Sequence, residues 1–461
     1  MPKPPNVLLF IMDDQAPGHI AHLDGAPIST PNLDRLAQRG SYFSPYTTVP
    51  VCTPGRAELL TGCNAFQNGC RWFNEPIHSH LTLLPQALSE AGYHTCHIGK
   101  WHNNGHPRDF SYDETHYVFN QDMSVPYQGH DCVFDSDGIT IPRHSTELFG
   151  EAGVAFMERA PEDQPWFCYV ALHSPHDPRI CPEPWMSMYD GALPPLPPNF
   201  MPEHPFDNGD MMIRDELLAS FPRRQDEIRR HRGDYYAMIS HHDHYIGRVL
   251  DVLRRRGMEE NTIAVFTSDH GLAVGSHGLM GKENLYEHSG RVPLILAGPG
   301  IPEDRRFDRT CLCGHYDFMP TLMDLLGLET PDTAQGLSYA SVLAGAKDTA
   351  NQGTSLTGPR ETITAGYREC MRMARDERFK LLYYPHIDRT QLFDLASDPH
   401  ETNDLLLPWR RRPIRGMGTL WNPGYAPVMD ANVVDGVVEQ LRGVLDAWQT
   451  ENGAFSTFLQ P

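Results

Sequence analysis

Four predicted strands of the chain each end in charged or polar side chains, and this repeated pattern constrains the fold more than any other feature. The strands cover residues 6–12, 93–99, 165–172 and 262–268, and the polar residues that follow them are Asp13 and Asp14, Lys100 and His102, His173, and Asp269 and His270. The continuous apolar run over residues 6–12 is typical of a central parallel strand covered on both faces. Because helical segments separate the four strands, the pattern predicts an α/β domain with a doubly wound, mostly parallel sheet flanked by helices. Ligands bind beyond the carboxyl ends of the strands in such sheets, so the polar residues should meet there.

The pattern changes near residue 365, where short strand-like segments replace the alternation of strands and helices. Residues 371–374 and 379–384 read as strands of an antiparallel sheet, and residues 433–448 as a closing helix. With 461 residues, the chain exceeds the size of one ordinary hydrophobic core. We therefore expect a large N-terminal α/β domain over residues 1–364 and a smaller C-terminal α+β subdomain over residues 365–461.

The carboxylates at the predicted strand ends indicate a metal site. Asp13 and Asp14 follow the first strand, and Asp269 follows a strand that lies some 250 residues later in the sequence. Three carboxylates at one edge of a sheet repel one another unless a cation holds them. A divalent cation with oxygen ligands is the natural counter-charge. Alone, Asp13 and Asp14 would read as a loop or a helix cap, but Asp269 at a matching strand end favours the metal site.

A short helix is predicted to begin near Pro54 and to end before Gly62. Cys52 would lie at its N-terminus, where partial positive charge favours anions, and Arg56 would add a full positive charge one turn away. We expect a thiol in this position to be acidic and reactive and to lie beside an anionic substrate. The alternative is that Cys52 is one more buried free cysteine among the ten of the chain.

The net charge of −21 excludes a general nucleic-acid or anionic-membrane binder, so attraction to an anionic substrate has to be local. The cysteines show no CxxC pair and are expected to be free thiols. The apolar run over residues 6–12 is too short to span a membrane and lacks a cleavage site. We expect a cytoplasmic protein, or a periplasmic or secreted one if a leader has been removed.

The signature C-x-P-x-R-x-x-x-x-T-G, which runs from Cys52 to Gly62, resembles that of the type I sulfatases, members of the alkaline phosphatase-like superfamily. Further motifs carry the resemblance over nearly the whole chain. They are the pair Asp13-Asp14, the G-K-W-H motif from Gly99 to His102, the H-x-P-H motif from His173 to His176, the S-D-H-G motif from Ser268 to Gly271, Lys282 with the later Arg291-Val-Pro, and the Asp398-Pro-His-Glu401 stretch.

The resemblance implies hydrolysis of sulfate monoesters, of a carbohydrate or another small organic molecule, by formylglycine made from Cys52. It also implies a formylglycine-generating or sulfatase-maturing enzyme as a partner. The catalytic residues would be Cys52, Arg56, Lys100, His102, His173 and Lys282. In these roles Arg56 binds the nucleophile, Lys100 and Lys282 neutralise the sulfuryl oxygens, His173 and Lys282 protonate the leaving alcohol, and His102 helps to expel sulfate.

By the same resemblance, one divalent cation would be held by Asp13, Asp14, Asp269, His270 and the group derived from Cys52. His270 stands where many type I sulfatases have asparagine. Imidazole is a poor ligand for Ca²⁺ and suits transition metals better. Analogy with sulfatases still favours Ca²⁺, with Mn²⁺ or Mg²⁺ as alternatives.

Two other functions fit the same residues. One is a phosphonate monoester or phosphodiester hydrolase on the same scaffold. The other is a catalytically silent binder of anionic glycans, which would have no use for His102 and His173. The sequence names neither the sulfated alcohol nor the oligomeric state.

Three polar features outside the main motifs are open to simpler explanations. His176 and Arg179 could contact the substrate or brace the loop that carries them. The histidines of the long helix predicted over residues 226–256, namely His241, His242 and His244, fit a packed or solvated helix face better than a second metal site. A bunch of arginines over residues 410–415 fits a solvated loop better than a site for an anionic substrate.

Overall fold

The computed structural model of the protein describes residues 3–120, 133–134, 140–141, 143–309, 311–348, 358–407 and 429–452. The strands are β1 (Asn6–Met12), β2 (Gly40–Phe43), β3 (His94–Lys100), β4 (Glu114–Phe119), β5 (Val133–Phe134), β6 (Thr140–Ile141), β7 (Trp166–Ala171), β8 (Thr262–Ser268), β9 (Leu294–Ala297), β10 (Arg305–Arg306), β11 (Ile363–Tyr367), β12 (Met371–Arg375), β13 (Phe379–Tyr384) and β14 (Arg389–Asp394). The helices are α1 (Ala21–Asp24), α2 (Pro31–Gln38), α3 (Cys52–Thr61), α4 (Ala65–Asn68), α5 (Leu84–Glu90), α6 (Ser145–Arg159), α7 (Gln225–Arg255), α8 (Glu287–Gly290), α9 (Phe318–Leu326), α10 (Ala340–Asp348) and α11 (Ala431–Glu451).

An eight-stranded sheet organises the larger part of the chain, in the order β10-β2-β9-β8-β1-β7-β3-β4. The five neighbouring strands from β8 to β4 are parallel, whereas β9 runs antiparallel to both β8 and β2. The mostly parallel sheet predicted from the sequence is confirmed. Strands β1 and β8 have the predicted bounds, and both are buried along their whole length.

Helices cover both faces of this sheet, which makes it doubly wound as predicted. Leu9 of β1 points to one face and packs in a cluster that includes buried residues of α3, α5 and α9. Leu8 points to the other face and packs in a cluster with residues of α2, α6 and α7. The two clusters therefore form the two halves of the core. None of the described helices combines the length and the apolarity that a membrane crossing requires.

Strands β11 to β14 form a separate antiparallel sheet in sequence order, as predicted for the C-terminal part of the chain. Helix α11 packs on one face of it through an apolar cluster that includes Leu441 and Leu445. Strand β11 begins at Ile363, close to the predicted division at residues 364 and 365, and that division of the chain into domains stays a prediction. Arg410, Arg411, Arg412 and Arg415 lie outside the described residues.

A buried ion cluster joins the C-terminal sheet to the segment that follows β8. The ammonium of Lys380, on β13, lies 2.9 Å from Oε1 of Glu287 and 2.7 Å from Oε1 of Glu401. The backbone N–H of Glu287 donates to Oε2 of Glu401 over 2.8 Å. All three side chains are largely or fully buried. Glu401 belongs to the Asp398-Pro-His-Glu401 stretch, which therefore fastens the small sheet to the large domain.

Candidate active site

The strand ends converge as the sequence predicted. In the sheet order β8-β1-β7-β3, each of these four strands carries its polar residues at the same edge. Asp13, Lys100, His173 and Asp269 are all buried there. Residues that are far apart in sequence therefore meet because neighbouring parallel strands end together.

Helix α3 carries Cys52 to the same place. The helix begins at Cys52, two residues earlier than the position of Pro54 indicated, and it ends at Gly62 in the left-handed conformation with φ of 65°. Gly55 lies against β8, since a Cβ atom there would come within 2.2 Å of the Asp269 carbonyl oxygen. The absence of a side chain at Gly55 thus lets the first turn of α3 approach the strand end.

The expectation that the Cys52 thiol is acidic is wrong for the unmodified side chain. Burial raises its pKa well above the usual range, and the neighbouring Asp13 adds to this shift against the charges of Lys100 and Lys282. A helix N-terminus alone does not outweigh complete burial beside carboxylates. The protonated thiol is therefore a poor nucleophile in this setting.

The predicted metal ligands lie together. One ligand atom from each of Asp13, Cys52, Asp269 and His270 falls within 4.8 Å of all the others, and a second such set joins Asp14 to Asp13, Cys52 and His176. Oδ1 of Asp13 accepts no hydrogen bond from any described residue. Carboxylate oxygens with one imidazole form a donor set that suits a divalent cation.

The orientation of His270 fits a ligand role. Its Nδ1 atom lies 2.9 Å from the carbonyl oxygen of Gly271, so Nδ1–H donates there and Nε2 keeps its lone pair. Nε2 lies 3.3 Å from Sγ of Cys52 and 3.3 Å from Oδ1 of Asp14. The free nitrogen therefore points into the carboxylate cluster.

Cations surround the same cluster. Nε of Arg56 donates to Oδ2 of Asp269 over 3.0 Å, and the ammonium of Lys100 contacts Oδ2 of Asp13. Although burial opposes it, the charges of Lys100 and other cations hold the pKa of Asp13 well below its usual range. Burial raises the pKa of Asp14 and of Asp269. The carboxylates at this edge of the sheet are thus accompanied by cationic side chains.

Lys282 comes from the segment after β8 and lies next to Cys52. Its ammonium lies 3.0 Å from Oδ1 of Asp14, 3.6 Å from Sγ of Cys52 and 3.1 Å from Nε2 of His176. His176, for which the sequence left a bracing role and a substrate contact open, thus lies in direct contact with a predicted catalytic residue. Arg179, three residues further on, contacts His231 on α7 at 3.2 Å.

The two remaining predicted catalytic residues are also buried or nearly so. Nε2 of His173 lies 3.8 Å from Oδ2 of Asp13, and the ring stacks on that of His176 with 4.8 Å between centroids. His102 has a positive φ of 51° and packs beside the ring of Phe73. Burial, with a contribution from Lys100, lowers the pKa of His102 well below its usual range, which favours the neutral ring.

Sequence reasoning missed two acidic residues at this site, Asp215 and Asp177, because they lie in an irregular segment without strand or helix periodicity. Each has an oxygen within 4.8 Å of the other and of Asp14. The helix histidines, in contrast, pack as the simpler explanation suggested. The ring of His241 packs edge-on against His144 and tilted against Trp185, and Nδ1 of His242 lies 3.1 Å from the Ser174 hydroxyl.

Comparison with known proteins gives a consistent result. The profile of the sulfatase family matches residues 5–328, and that of the N-sulphoglucosamine sulphohydrolase C-terminal region matches residues 275–414. The uncharacterized sulfatase YidJ of Escherichia coli K12 is 30% identical over 372 residues, which cover 74% of this chain and 71% of that protein. N-acetylglucosamine-6-O-sulfatase of Bacteroides thetaiotaomicron is 26% identical, with 87% of this chain and 83% of that protein covered.

The fold has close structural counterparts. The structure of BT4656 in complex with its substrate D-glucosamine-2-N,6-O-disulfate superposes with a TM-score of 0.76 at 22% identity, and 100% of each chain is covered. This likeness shows that the chain has the fold of these solved structures. The chain belongs to the sulfatase family, and it is a sulfatase.

Proposed function

We propose that this sulfatase hydrolyses sulfate monoesters of carbohydrates, with formylglycine derived from Cys52 as the nucleophile and one divalent cation as cofactor. The observation that supports this most directly is the position of Cys52. Its Sγ atom lies 3.3 Å from Nε2 of His270 and 3.6 Å from Nζ of Lys282, at the edge where the buried carboxylates meet. A nucleophile there faces both a candidate metal ligand and a cation.

Asp13, Asp14, Asp269 and His270 would hold the cation, with Ca²⁺ favoured and Mn²⁺ or Mg²⁺ as alternatives. When bound, the cation supplies positive charge that polarises the sulfuryl group. The hydrated aldehyde made from Cys52 supplies one hydroxyl for attack on sulfur and a second for the release of sulfate, a step that a plain thiol cannot perform.

The remaining residues of the site bind charge and move protons. Lys100 and Lys282 are placed to neutralise the sulfuryl oxygens as negative charge moves onto the leaving group. His173 and Lys282 would donate the proton that the leaving alcohol requires. Although burial opposes it, Asp14 and other anionic groups hold the pKa of Lys282 well above its usual range, so the side chain is positively charged before the reaction. His102 would assist the release of sulfate.

A sulfated carbohydrate is the substrate class that we favour. One of the relatives that cover 87% of this chain is an N-acetylglucosamine-6-O-sulfatase, and the cations of the site would attract an anionic sulfuryl group locally in a protein whose net charge is −21. A formylglycine-generating or sulfatase-maturing enzyme is the implied partner, because Cys52 has to be oxidised before the hydrolysis described above can proceed.

The competing function is hydrolysis of phosphonate monoesters or phosphodiesters. A sulfate monoester presents three bare oxygens to two lysines and a cation, whereas a diester places an organic group where one oxygen would lie. With matched aryl leaving groups and a single metal, we expect kcat/KM for the sulfate to exceed that for the phosphorus ester by at least about tenfold, or about 1.4 kcal/mol.

Two outcomes of these assays would contradict the proposal. Faster turnover of the phosphorus ester than of the sulfate ester would favour the phosphonate monoester or phosphodiester hydrolase over the proposed function. Absence of any turnover by matured, metal-loaded protein would favour the silent binder of anionic glycans. A panel of sulfated sugars that includes N-acetylglucosamine 6-sulfate then identifies the alcohol.

A further inference from the structure

The irregular segment between β7 and α7 contains a short 3₁₀ helix, Arg214–Leu218, that carries two consecutive buried acidic residues. Asp215 and Glu216 are 1% and 4% exposed. Buried carboxylates are costly unless they are paired or hydrogen-bonded, so both side chains should have specific partners. Each side chain has a partner in the segment that carries Lys282.

We propose that Asp215 and Glu216 are positioning residues for Lys282: Glu216 fixes the backbone before Lys282, and Asp215 fixes its ammonium. This inference rests on the proposed function only in the role that it gives to Lys282 toward the leaving group. No part of it depends on which sulfated alcohol is the substrate.

Glu216 binds the backbone of the two residues that precede Lys282. Its carboxylate accepts the N–H of Met280 over 2.9 Å and the N–H of Gly281 over 2.9 Å. Arg223 holds the carboxylate in turn through Nη2, and its Nε donates to the carbonyl oxygen of Gly278 over 3.1 Å. The backbone from residue 278 to residue 281 is thus tied at several points to one helical turn.

Asp215 binds the side chain instead. Its Oδ2 lies 3.5 Å from Nζ of Lys282, while its Oδ1 accepts from Nε of Arg214 over 2.6 Å. Nη2 of Arg214 lies 3.5 Å from Oδ1 of Asp177, so this arginine is shared between two carboxylates. Oδ2 of Asp215 is therefore left for Lys282.

The two segments approach each other closely at Gly281. A Cβ atom on Gly281 would come within 3.0 Å of Cβ of Asp215 across the two segments, and within 2.6 Å of Oε2 of Glu283 in its own segment. A side chain at position 281 would therefore displace the Glu283 carboxylate and press against Asp215. The close approach places the Asp215 carboxylate next to the ammonium one residue on.

The arrangement explains how Lys282 can stay oriented in the working enzyme. Its ammonium contacts two carboxylates, those of Asp14 and Asp215. Asp14 is a proposed metal ligand, and its oxygens are then shared with the cation. Asp215 is not part of the proposed metal site. Of the two carboxylates, only that of Asp215 therefore stays with Lys282 without being shared with the cation.

The test is Asp215→Asn, which keeps the shape of the side chain and removes its charge. A misplacement of about 1 Å in a reacting group can cost about a hundredfold in rate. We expect kcat to fall about tenfold to a hundredfold for an aryl sulfate with a poor leaving group and by a clearly smaller factor for an activated one, because both need the charge of Lys282 at the sulfuryl oxygens but only the former also needs its proton. KM should change little. Asp190→Asn, an exposed carboxylate in the same irregular segment, is the matched control.

A double-mutant cycle separates positioning from a general structural effect. In a Lys282→Met background, Asp215→Asn should cause no further loss, since Asp215 acts through Lys282. Equal losses for good and poor leaving groups, or additive losses in the double variant, would overturn the proposal. If the wild-type enzyme prefers phosphorus esters, the sulfatase function fails, whereas the same leaving-group series on aryl phosphonates still tests Asp215.

A second measurement is independent of turnover. A crystal structure of the Asp215→Asn protein should show the Lys282 ammonium displaced from its 3.1 Å contact with Nε2 of His176. An unmoved ammonium in a folded variant would also overturn the inference.

Discussion

The Nε2 atom of His270 lies 3.3 Å from the Sγ atom of Cys52, although the two residues are 218 positions apart in the sequence. The contact exists because β8 delivers His270 and α3 delivers Cys52 to the same edge of the sheet. With Nδ1 engaged at the Gly271 carbonyl, Nε2 is the nitrogen available to a cation. The metal preference of the site should therefore depend on this ring.

His270→Asn is expected to shift the metal preference toward Ca²⁺. The amide oxygen of asparagine is a hard ligand that suits Ca²⁺, whereas imidazole nitrogen suits Mn²⁺ and later transition metals better. Chelator-treated wild-type and variant proteins should be titrated with Ca²⁺ and Mn²⁺, and bound metal should be measured by elemental mass spectrometry. An unchanged ratio of the two affinities would show that His270 is not a ligand. Asp269→Asn serves as the control that should lose metal and activity together.

Cys52→Ala should abolish turnover and leave the fold intact, because the side chain is small and lies at the start of a helix that is buried along its whole length. In active wild-type protein, the peptide that contains Cys52 should have the mass expected when the CH₂–SH group has become an aldehyde. Peptide mass spectrometry checks the modification, and circular dichroism checks the fold of the variant. Full activity in protein that carries only the thiol would exclude the proposed nucleophile.

The sequence predicted most of the site because its residues lie at the ends of predicted strands. Asp13, Lys100, His173 and Asp269 need only the rule that parallel strands end at one edge of the sheet. Asp215 and Glu216 follow no such rule. Their partners, at positions 280 to 282, are set by the path of an irregular segment, and no periodicity encodes that path.

The electrostatics of the site also could not be read from the sequence. The position of Cys52 at a helix N-terminus predicts an acidic thiol, but complete burial beside Asp13 reverses the direction of the shift. Burial depends on packing across the whole domain, including the contact of Gly55 with the Asp269 backbone. The local sequence predicts the helix near its observed bounds, whereas tertiary packing determines the pKa of its first residue.

Lys380→Met should destabilise the protein by about 3–5 kcal/mol, because it leaves the buried carboxylates of Glu287 and Glu401 without their shared cation. Chemical denaturation at neutral pH measures the free energy of unfolding. The control is Arg378→Met, which removes an ion pair with Asp394 whose arginine side chain is 54% exposed, and which should cost less than about 1 kcal/mol. Equal effects of the two variants would mean that the buried cluster does not stabilise the junction between the small sheet and the large domain.

Glu58, on α3, makes stability depend on pH. Its carboxyl group accepts hydrogen bonds from the N–H groups of Thr48 and Ala65 and from the Thr48 hydroxyl. Burial outweighs these bonds and raises the pKa of Glu58 from 4.5 to about 8. The folded protein therefore keeps a proton on this group that the unfolded chain releases above its ordinary pKa.

The sign of the effect follows from this difference. The contribution of Glu58 to stability is fully present below pH 4.5 and decreases as the pH rises toward about 8, with a slope of up to about 1.4 kcal/mol per pH unit. Glu58→Gln keeps the side chain neutral at every pH and should lack this slope. Other titrating groups are common to both proteins, so the difference between their free energies of unfolding isolates Glu58. Denaturation at several pH values across this window measures it, with Glu90→Gln, an exposed residue on α5, as the control. Parallel curves for wild type and Glu58→Gln would show that the buried carboxyl group titrates normally.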